Sequence, residues 1–500
     1  MVSKILKCGQ RIRIEDDFAT IKFVGHIPPW GDDVIAYGVE WDNPQRGKND
    51  GQLEGFRYFI TDVEGAGSFI KASYHKIQYP VLFLEALMNR YASEENARSL
   101  THSIKFGLKT VENYGFEKLN TMMKDVSSLA TIMLDKQNIG YCSDLPQFPG
   151  TQLLDISFNL LSQWNDVEQI LQLFSNLQSL NLNGNRFLTT FELRIPHSLR
   201  DLSLAAMHLK EEQLKTLDFD GLHSLCLAGN KLTDNHCNHL ILGRSLSKLD
   251  LSFNQLHALP SVVAASSVTE LILADNRVNH ITEKETYMSV KVLDLRNNDL
   301  SLWEDIDRLS KVFPSLEEIR IENCPIFAQL SIDEVMANLI ARISNPFTSN
   351  IRKINGSSIL DQEVENAELY FISKVRQGHT VITNEEQWER LIHKHHMSLE
   401  RIHSSLNDSD KVLLYLKTAN SSEMEVSSRV FLKSNTVLRL KGVISRQIKK
   451  PILEFHIFVS VDENQLHEPD LLRYLVDDTA TLQSLGLHNG QSIFITWDLA

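Results

Sequence analysis

The chain has 500 residues, 50 Lys+Arg against 64 Asp+Glu, a formal net charge of −14 and 42% hydrophobic residues. At roughly 100–200 residues per domain, that length predicts about three or four domains, and the apolar fraction excludes a mostly disordered chain. The acidic balance argues against a dedicated nucleic-acid binder, because phosphate recognition needs concentrated positive charge.

The amino-terminal MVSKILKCGQRIRIEDD lacks the apolar run of a signal peptide. No stretch elsewhere approaches the ~18 apolar residues of a membrane helix, so a cytosolic protein is expected. From 1 to about 80, short β-type runs (RIRI, ATIKFVGHI, AYGVEW, RYFI, GSFIKA) alternate with Gly, Pro, Asn and Asp clusters, which predicts a small twisted β-sheet or barrel with tight turns. Residues 81–128 turn helical (EALMNRYASEENARSL, FEKLNTMMKDVSSL) and read as a connector or as a cap on the next domain.

An internal repeat follows over 129–326. The template LxxLxLxxNxL fits nine times, from Leu129, Thr151, Leu177, Leu199, Leu222, Leu246, Val268, Val290 and Leu316. This spacing is that of an α/β leucine-rich repeat solenoid. Positions four and six (Leu180 and Leu182; Leu249 and Leu251) flank an outward residue on a short strand and should point into the core. The ninth-position asparagines, Asn159, Asn185, Asn230, Asn254, Asn276 and Asn298, should form a ladder serving backbone groups at the bend. Gln137, Met207 and Cys324 interrupt it. The fifth positions, among them Asp155, Asn181, Asp250, Asp294 and Arg320, suggest a polar concave protein interface rather than a small-molecule pocket. Phe158 and Phe253, at the eighth position, read as core-edge packing in preference to exposed anchors.

Residues 327–380 keep helical patterning and read as the terminal cap a solenoid needs. Residues 381–407 are polar and read as a linker helix. From 408 to 500 a hairpin (KVLLYLKTA, SSRVFLK), a helix carrying Val437, Leu440, Val443, Ile444 and Ile448 on one face, and the strands LEFHIFVSV and GQSIFITW give an α+β grasp topology.

The sharpest local signal is Gly47-Lys48-Asn49-Asp50-Gly51. Two glycines permit positive φ and a sharp turn. Lys48 offers a point charge and Asn49 a donor and acceptor, a combination suited to an acidic peptide tail. Trp41, Phe56, Tyr58, Phe59 and Phe69 could line an apolar groove beside it, or simply fill the core beneath a solvated turn.

With these residues in view, 1–80 resembles the CAP-Gly domains, which bind the acidic, aromatic-ended tails of α-tubulin and related proteins. The GKNDG signature is intact, followed by Gly55, Tyr58, Phe59 and Gly67-Ser68-Phe69-Ile70. The resemblance implies a tail-binding site of Gly47, Lys48, Asn49, Asp50, Gly51, Phe59 and Phe69, with Lys48 and Asn49 on carboxylates and Asp50 fixing the loop. Three departures stand out: Ala36 where the family has Trp, Thr61 where it has Cys, and Lys71-Ala72 where it has Arg-Pro. Trp30 lies close enough in sequence to substitute for the missing indole.

The order CAP-Gly, leucine-rich repeats, ubiquitin-like β-grasp is similar to the tubulin-folding cofactors. That likeness implies α-tubulin as cargo, with cofactors B, C and D and β-tubulin as partners in assembling and dissociating the αβ heterodimer. A microtubule-end or centrosomal adaptor is the alternative, although no sustained heptad run appears. The chain shown stops at Ile495-Thr496-Trp497-Asp498-Leu499-Ala500 without a Gly-Gly tail, so the ubiquitin-like end is expected to dock a proteasomal or tubulin partner rather than be conjugated.

Catalysis is not expected. The five cysteines, Cys8, Cys142, Cys226, Cys237 and Cys324, are scattered without a CxxC pair, which disfavours a disulfide framework or zinc ribbon. His393, His395, His396 and His403 lack an accompanying Cys and read as a hydrated helical face. No Walker loop, GxSxG or HExxH occurs, and neither a cofactor nor a metal is implied.

Overall fold

The computed structural model describes residues 5–91, 126–142, 147–187, 196–215, 217, 219–343, 351–397, 411–419, 427–460 and 472–497. The helix read into 116–125 and the residue His403 lie outside these. The chain divides into two units, Met1–Ile372 with Val381–Ser398, and Ser373–Thr380 with Leu399–Ala500.

The first unit opens with β1 (Arg11–Ile14), β2 (Asp17–Gly25), β3 (Ala36–Trp41), β4 (Gln52–Leu53), β5 (Phe56–Arg57), β6 (Gly67–Lys71) and β7 (Ile77–Gln78). Five of these make an antiparallel sheet in the order β6-β3-β2-β1-β7. It closes over Ile12, Ile14, Ala19, Ile21, Tyr37, Val39 and Trp41. The segment RYFI is not the strand expected. Only Phe56–Arg57 pairs, with Gln52–Leu53, across a turn in which Glu54 and Gly55 both have positive φ. Phe59 is drawn under the sheet instead, against Gly38.

Next, β8 (Val81–Leu82) pairs in parallel with β10 (Ile139–Tyr141), and α1 (Phe83–Tyr91) drives Phe83, Ala86 and Leu87 into the solenoid core. The repeat strands are β9 (Thr131–Met133), β11 (Leu153–Asp155), β12 (Ser179–Asn181), β13 (Asp201–Ser203), β14 (Ser224–Cys226), β15 (Lys248–Asp250), β16 (Glu270–Ile272), β17 (Val292–Asp294) and β18 (Glu318–Arg320). Each strand's central residue and the one two further on, such as Leu180 and Leu182, are buried. These apolar pairs stack one repeat on the next into a continuous core.

The asparagine ladder forms. Asn254 Nδ2 donates to Leu227 and Leu251 carbonyls, while its Oδ1 accepts from Asn230 and Leu232 backbone amides of the preceding repeat. Where the ladder is interrupted, Gln137 turns its amide to Asp135 and the Cys324 thiol reaches Leu295 O at 3.6 Å.

Beyond the ninth repeat, the expectation of helix alone is corrected. Residues 351–360 extend the sheet through β19 (Lys353–Ile354), closed by β20 (Ser357–Ser358) across Asn355-Gly356, both at positive φ. An Asn-Gly pair is the sequence signal for such a hairpin. The helices α2 (Trp164–Gln172) and α3 (Trp303–Val312) run between successive repeat strands and bury Val167, Ile170, Ile306 and Leu309 in the same core, and α4 (Ile332–Ile343) and α5 (Asp361–Arg376) follow them. Arg342 is fully buried between the Trp303 and Phe371 rings, 4.3 and 4.9 Å away, and bonded to Asp307 at 2.6 Å.

The linker helix is also corrected. In α6 (Glu385–Lys394) Trp388, Leu391 and Ile392 are buried, Asn384 bonds the Asp307 carbonyl and Gln387 bonds that of Ala341. The segment therefore packs as part of the first unit. His395 is correspondingly not hydrated: it is 7% exposed and 2.8 Å from the buried Glu368, beside Lys394. His393 and His396 are exposed.

In the second unit β21 (Lys411–Thr418), β22 (Ser427–Leu432), β23 (His456–Ser460), β24 (Leu472–Tyr474) and β25 (Gln491–Thr496) form a sheet in the order β22-β21-β25-β23-β24, with the β21–β25 pair parallel. The helix α7 (Val437–Ile448) buries Val437, Leu440 and Ile444 against it, giving the β-grasp; Val443 and Ile448 pack at the margin. Strand β24 carried no separate signal in the sequence.

Candidate peptide-binding cleft

The GKNDG loop follows a 3-10 turn over Pro44–Arg46, capped by the Asn43 side chain accepting from Gln45 N. Lys48 N and Asn49 N both donate to Gly67 O at 2.7 and 3.0 Å, and Gly67 N returns a bond to Asn49 O at 2.7 Å. These three bonds tie the loop to β6. Asn49 Oδ1 accepts from Gly51 N at 3.0 Å, which commits the amide oxygen to the turn. The two outer glycines are obligatory. A Cβ on Gly47 would sit 1.9 Å from Gly65 O, and one on Gly51, at φ +90, would sit 2.1 Å from Phe59 O.

Asp50 is a brace rather than a contact group. Its carboxylate takes Arg57 Nη2 at 2.6 Å, and that hydrogen bond holds its pKa below the ordinary aspartate value. Lys48 is exposed, with no ion-pair partner among the described residues.

Beside the loop lies a cleft of about 510 Å³ lined by Trp30, Trp41, Arg46, Lys48, Phe69, Lys71, Tyr74 and His75, among others. Phe69 is edge-on to Tyr58 and Phe59 at 5.5 and 5.3 Å. Phe59 is 7% exposed and lies beneath the cleft, supporting Phe69 instead of facing a ligand. Of the residues singled out in the sequence, the structure brings Lys48 and Phe69 to the cleft wall and Gly47, Asn49, Asp50 and Gly51 to the loop that presents Lys48. Trp30 lines the cleft too, although Ala36 itself is a fully buried β3 residue.

Sequence reasoning missed the other cations. Lys71 lies with its ammonium 5.6 Å from the Trp30 ring, and Arg46 stacks on Trp41 at 4.3 Å. Arg46 is also paired with Asp17 and Glu15, so part of its charge is spent. Lys48 and Lys71 therefore dominate the local field. The signal that could have found these residues is the run of cations and aromatics on both sides of the loop, Gln45-Arg46-Gly47-Lys48 and Lys71-Ala72-Ser73-Tyr74-His75.

The fifth-position residues of the repeats turn largely inward on their own backbone. Asp155, Asn181, Asp250 and Asp294 each accept the amide of the residue two positions on, Ser157, Asn183, Ser252 and Arg296. Such turns end each strand. Asp155 is 9% and Asp294 1% exposed, so neither is a surface group. Arg320 is tied to Glu318 at 2.7 Å. Of the named residues of the expected polar concave interface, Asn181, Asp250 and Arg320 are half-buried and Asp155 and Asp294 are buried.

Burial raises the thiol pKa of Cys226 and Cys324 and pushes that of Cys237 up to about 12, which keeps all three protonated. Among the described residues no three His, Cys, Asp or Glu side chains group as a metal site, and no helix is long and apolar enough to cross a membrane.

Residues 8–74 match the model of the CAP-Gly domain and residues 176–204 that of the Leucine Rich Repeat. The class is therefore a multidomain chain joining a CAP-Gly module, a leucine-rich repeat solenoid and a β-grasp domain. Over nearly its whole length the chain is a homologue of the proteins named tubulin-specific chaperone E. The one from Mus musculus is 25% identical, with 98% of each chain covered. Protein PAC2 of Saccharomyces cerevisiae is 28% identical, with 92% of each covered. Among solved structures, the C-terminal ubiquitin-like domain of mouse tubulin-specific chaperone e is 23% identical, covering 20% of this chain and 96% of its own, at a TM-score of 0.17.

Proposed function

We propose that this chain is a cytoplasmic tubulin-folding cofactor that captures α-tubulin and acts with cofactors B, C and D in assembling and dissociating the αβ heterodimer. The observation that carries the proposal is the Lys48 cleft: Lys48 and Lys71, with no ion-pair partner among the described residues, beside aromatic walls, on a chain of net charge −14. Such a cleft attracts carboxylates only at short range, because the Debye length is about 8 Å at physiological ionic strength. It therefore selects a flexible acidic segment that can enter, and disfavours a broad acidic surface. In this proposal Lys48 and the Asn49 amide face the tail's carboxylates, while Phe69 and Trp30 hold an aromatic end. The solenoid contacts the folded body, and two weak sites on one chain gain affinity through effective concentration. Nothing in this scheme requires bond-making chemistry.

The test is to mix the full chain with αβ-tubulin and follow dimer size and complex formation. Capture of α-tubulin with loss of the heterodimer is expected. Binding to polymer with no effect on the dimer would replace this reading by that of an adaptor. Lys48→Ala should weaken capture, with a difference that narrows as salt is raised.

A further inference from the structure

The eighth residue of every repeat takes a left-handed backbone, with φ between 51 and 70 from Lys136 to Asn323. Five repeats fill the position with Gly184, Gly229, Asp275, Asn297 and Asn323, residue types that tolerate this conformation. Two use phenylalanine, for which it is a steric outlier. A strained residue persists only where something compensates for it.

At Phe158 the compensation is visible. The ring meets Phe18 of the CAP-Gly module at 6.4 Å and the Lys136 ammonium at 5.9 Å, and it fills the space a Cβ on Gly184 would need. Its companions on the same edge, Asn138 and Arg186, bond Gln78 and Asp42 of that module. The edge formed by eighth and tenth positions is thus a docking edge, occupied at its first repeats by the chain's own amino-terminal module.

Phe253 has the same backbone, φ 54, yet 63% of its surface is exposed. It is therefore not the core-edge packing that its sequence position suggests. Asn230 and Leu232 amides both bond Asn254, which sets Lys231 beside Phe253. Arg277 N bonds Leu256 O, which sets Arg277, the tenth residue of the next repeat, three residues along the edge from Phe253. Both cations are exposed, and neither has an ion-pair partner among the described residues.

We propose that Phe253, with Lys231 and Arg277 at the tenth positions of the two neighbouring repeats, continues this docking edge and seats an apolar side chain bordered by carboxylates on the folded body of tubulin. The inference rests on the tubulin-binding reading above. The Phe158 precedent supplies the apolar half of the argument, and the unpaired cations supply the charge of the partner.

The decisive variant is Phe253→Asn in the full chain, because asparagine suits the left-handed backbone and should leave the melting temperature unchanged or raised. Binding to αβ-tubulin stripped of its acidic tails by limited proteolysis should fall about tenfold or more, as for a buried aromatic anchor. Lys231→Ala with Arg277→Ala should give a smaller loss that narrows at high salt. Unaltered binding of Phe253→Asn, a marked fall in its melting temperature, or a wild-type self-association abolished by the substitution would each overturn the inference. If wild-type chain binds neither intact nor stripped tubulin, the functional reading itself fails, which separates the two failures.

Discussion

Replacing Asp42 by asparagine should release the CAP-Gly module from the solenoid while leaving each folded. Arg11 is wholly buried and places Nη1 and Nη2 on the Asp42 carboxylate at 3.1 and 2.6 Å. Arg186, from the third repeat, adds Nη1 at 2.9 Å. One carboxylate thus holds two guanidinium groups together. At an effective dielectric of about 20, each pair is worth roughly 4 kcal/mol of Coulomb energy, much of it offset by desolvation. The substituted amide would keep the shape and one acceptor but leave two buried cations facing each other, and removing one partner of a buried pair typically costs about 3–5 kcal/mol. Among the described residues, the contacts left across the boundary include the Phe18–Phe158 pair, Gln10 to Tyr141 at 2.8 Å, Arg13 to Lys136 O at 3.0 Å and Asn138 to Gln78 at 3.0 Å. These partly exposed hydrogen bonds contribute about 1 kcal/mol each, too little to hold the interface alone. Hydrogen exchange should report the outcome: amides near Tyr141, Phe158 and Arg186 lose protection, while those of β15 and β16 keep it. Stability within about 1 kcal/mol of wild type, with unchanged exchange at these amides, would refute the claim that Asp42 is the clamp.

Three further outcomes are expected. Asn254→Ala orphans the buried Asn230 and Leu232 amides, so denaturant unfolding should show a loss of about 2–6 kcal/mol, at about 1–3 kcal/mol per unsatisfied group. His208 is lowered from 6.5 to about 4 by burial and by the neighbouring Arg186, whose Nη2 lies 3.3 Å from its Nε2. The unfolded chain therefore takes up the proton first, and stability that is full above pH 6.5 should fall as pH drops toward 4, by about 2–3 kcal/mol. A pH series of urea melts reads this slope, and His208→Asn, which suits the φ of 53, should flatten it. Gly47→Ala drives a methyl into Gly65 O, so calorimetry with an acidic, aromatic-ended peptide should show binding lost while the second unit's melting is unchanged.

The most legible features were those that repeat or that require a particular residue type. The period of the leucines predicted the solenoid, because positions four and six must both leave the strand on its buried side. The ninth-position asparagines were legible for the same reason, since a bend recurring at a fixed interval needs the same side-chain amide each time. The Lys48 loop was legible because only glycine fits at 47 and 51. Asp155 and Asp294 were read as part of a polar concave surface and are buried, because local sequence does not say whether a carboxylate faces solvent or its own backbone. The polar segment around Trp388 looked like a linker because its apolar residues are few, although all three are buried.

By itself, then, the sequence determined the three domain types and the chemistry of the Lys48 loop, since both rest on local spacing and on backbone conformations that few residues can adopt. Only the tertiary structure decided where Phe158 and Phe253 point, which cations join Lys48 around one cleft, and that Asp42 meets an arginine 144 residues away. These depend on how separately folded pieces are brought together, and no periodicity along the chain encodes a contact across it.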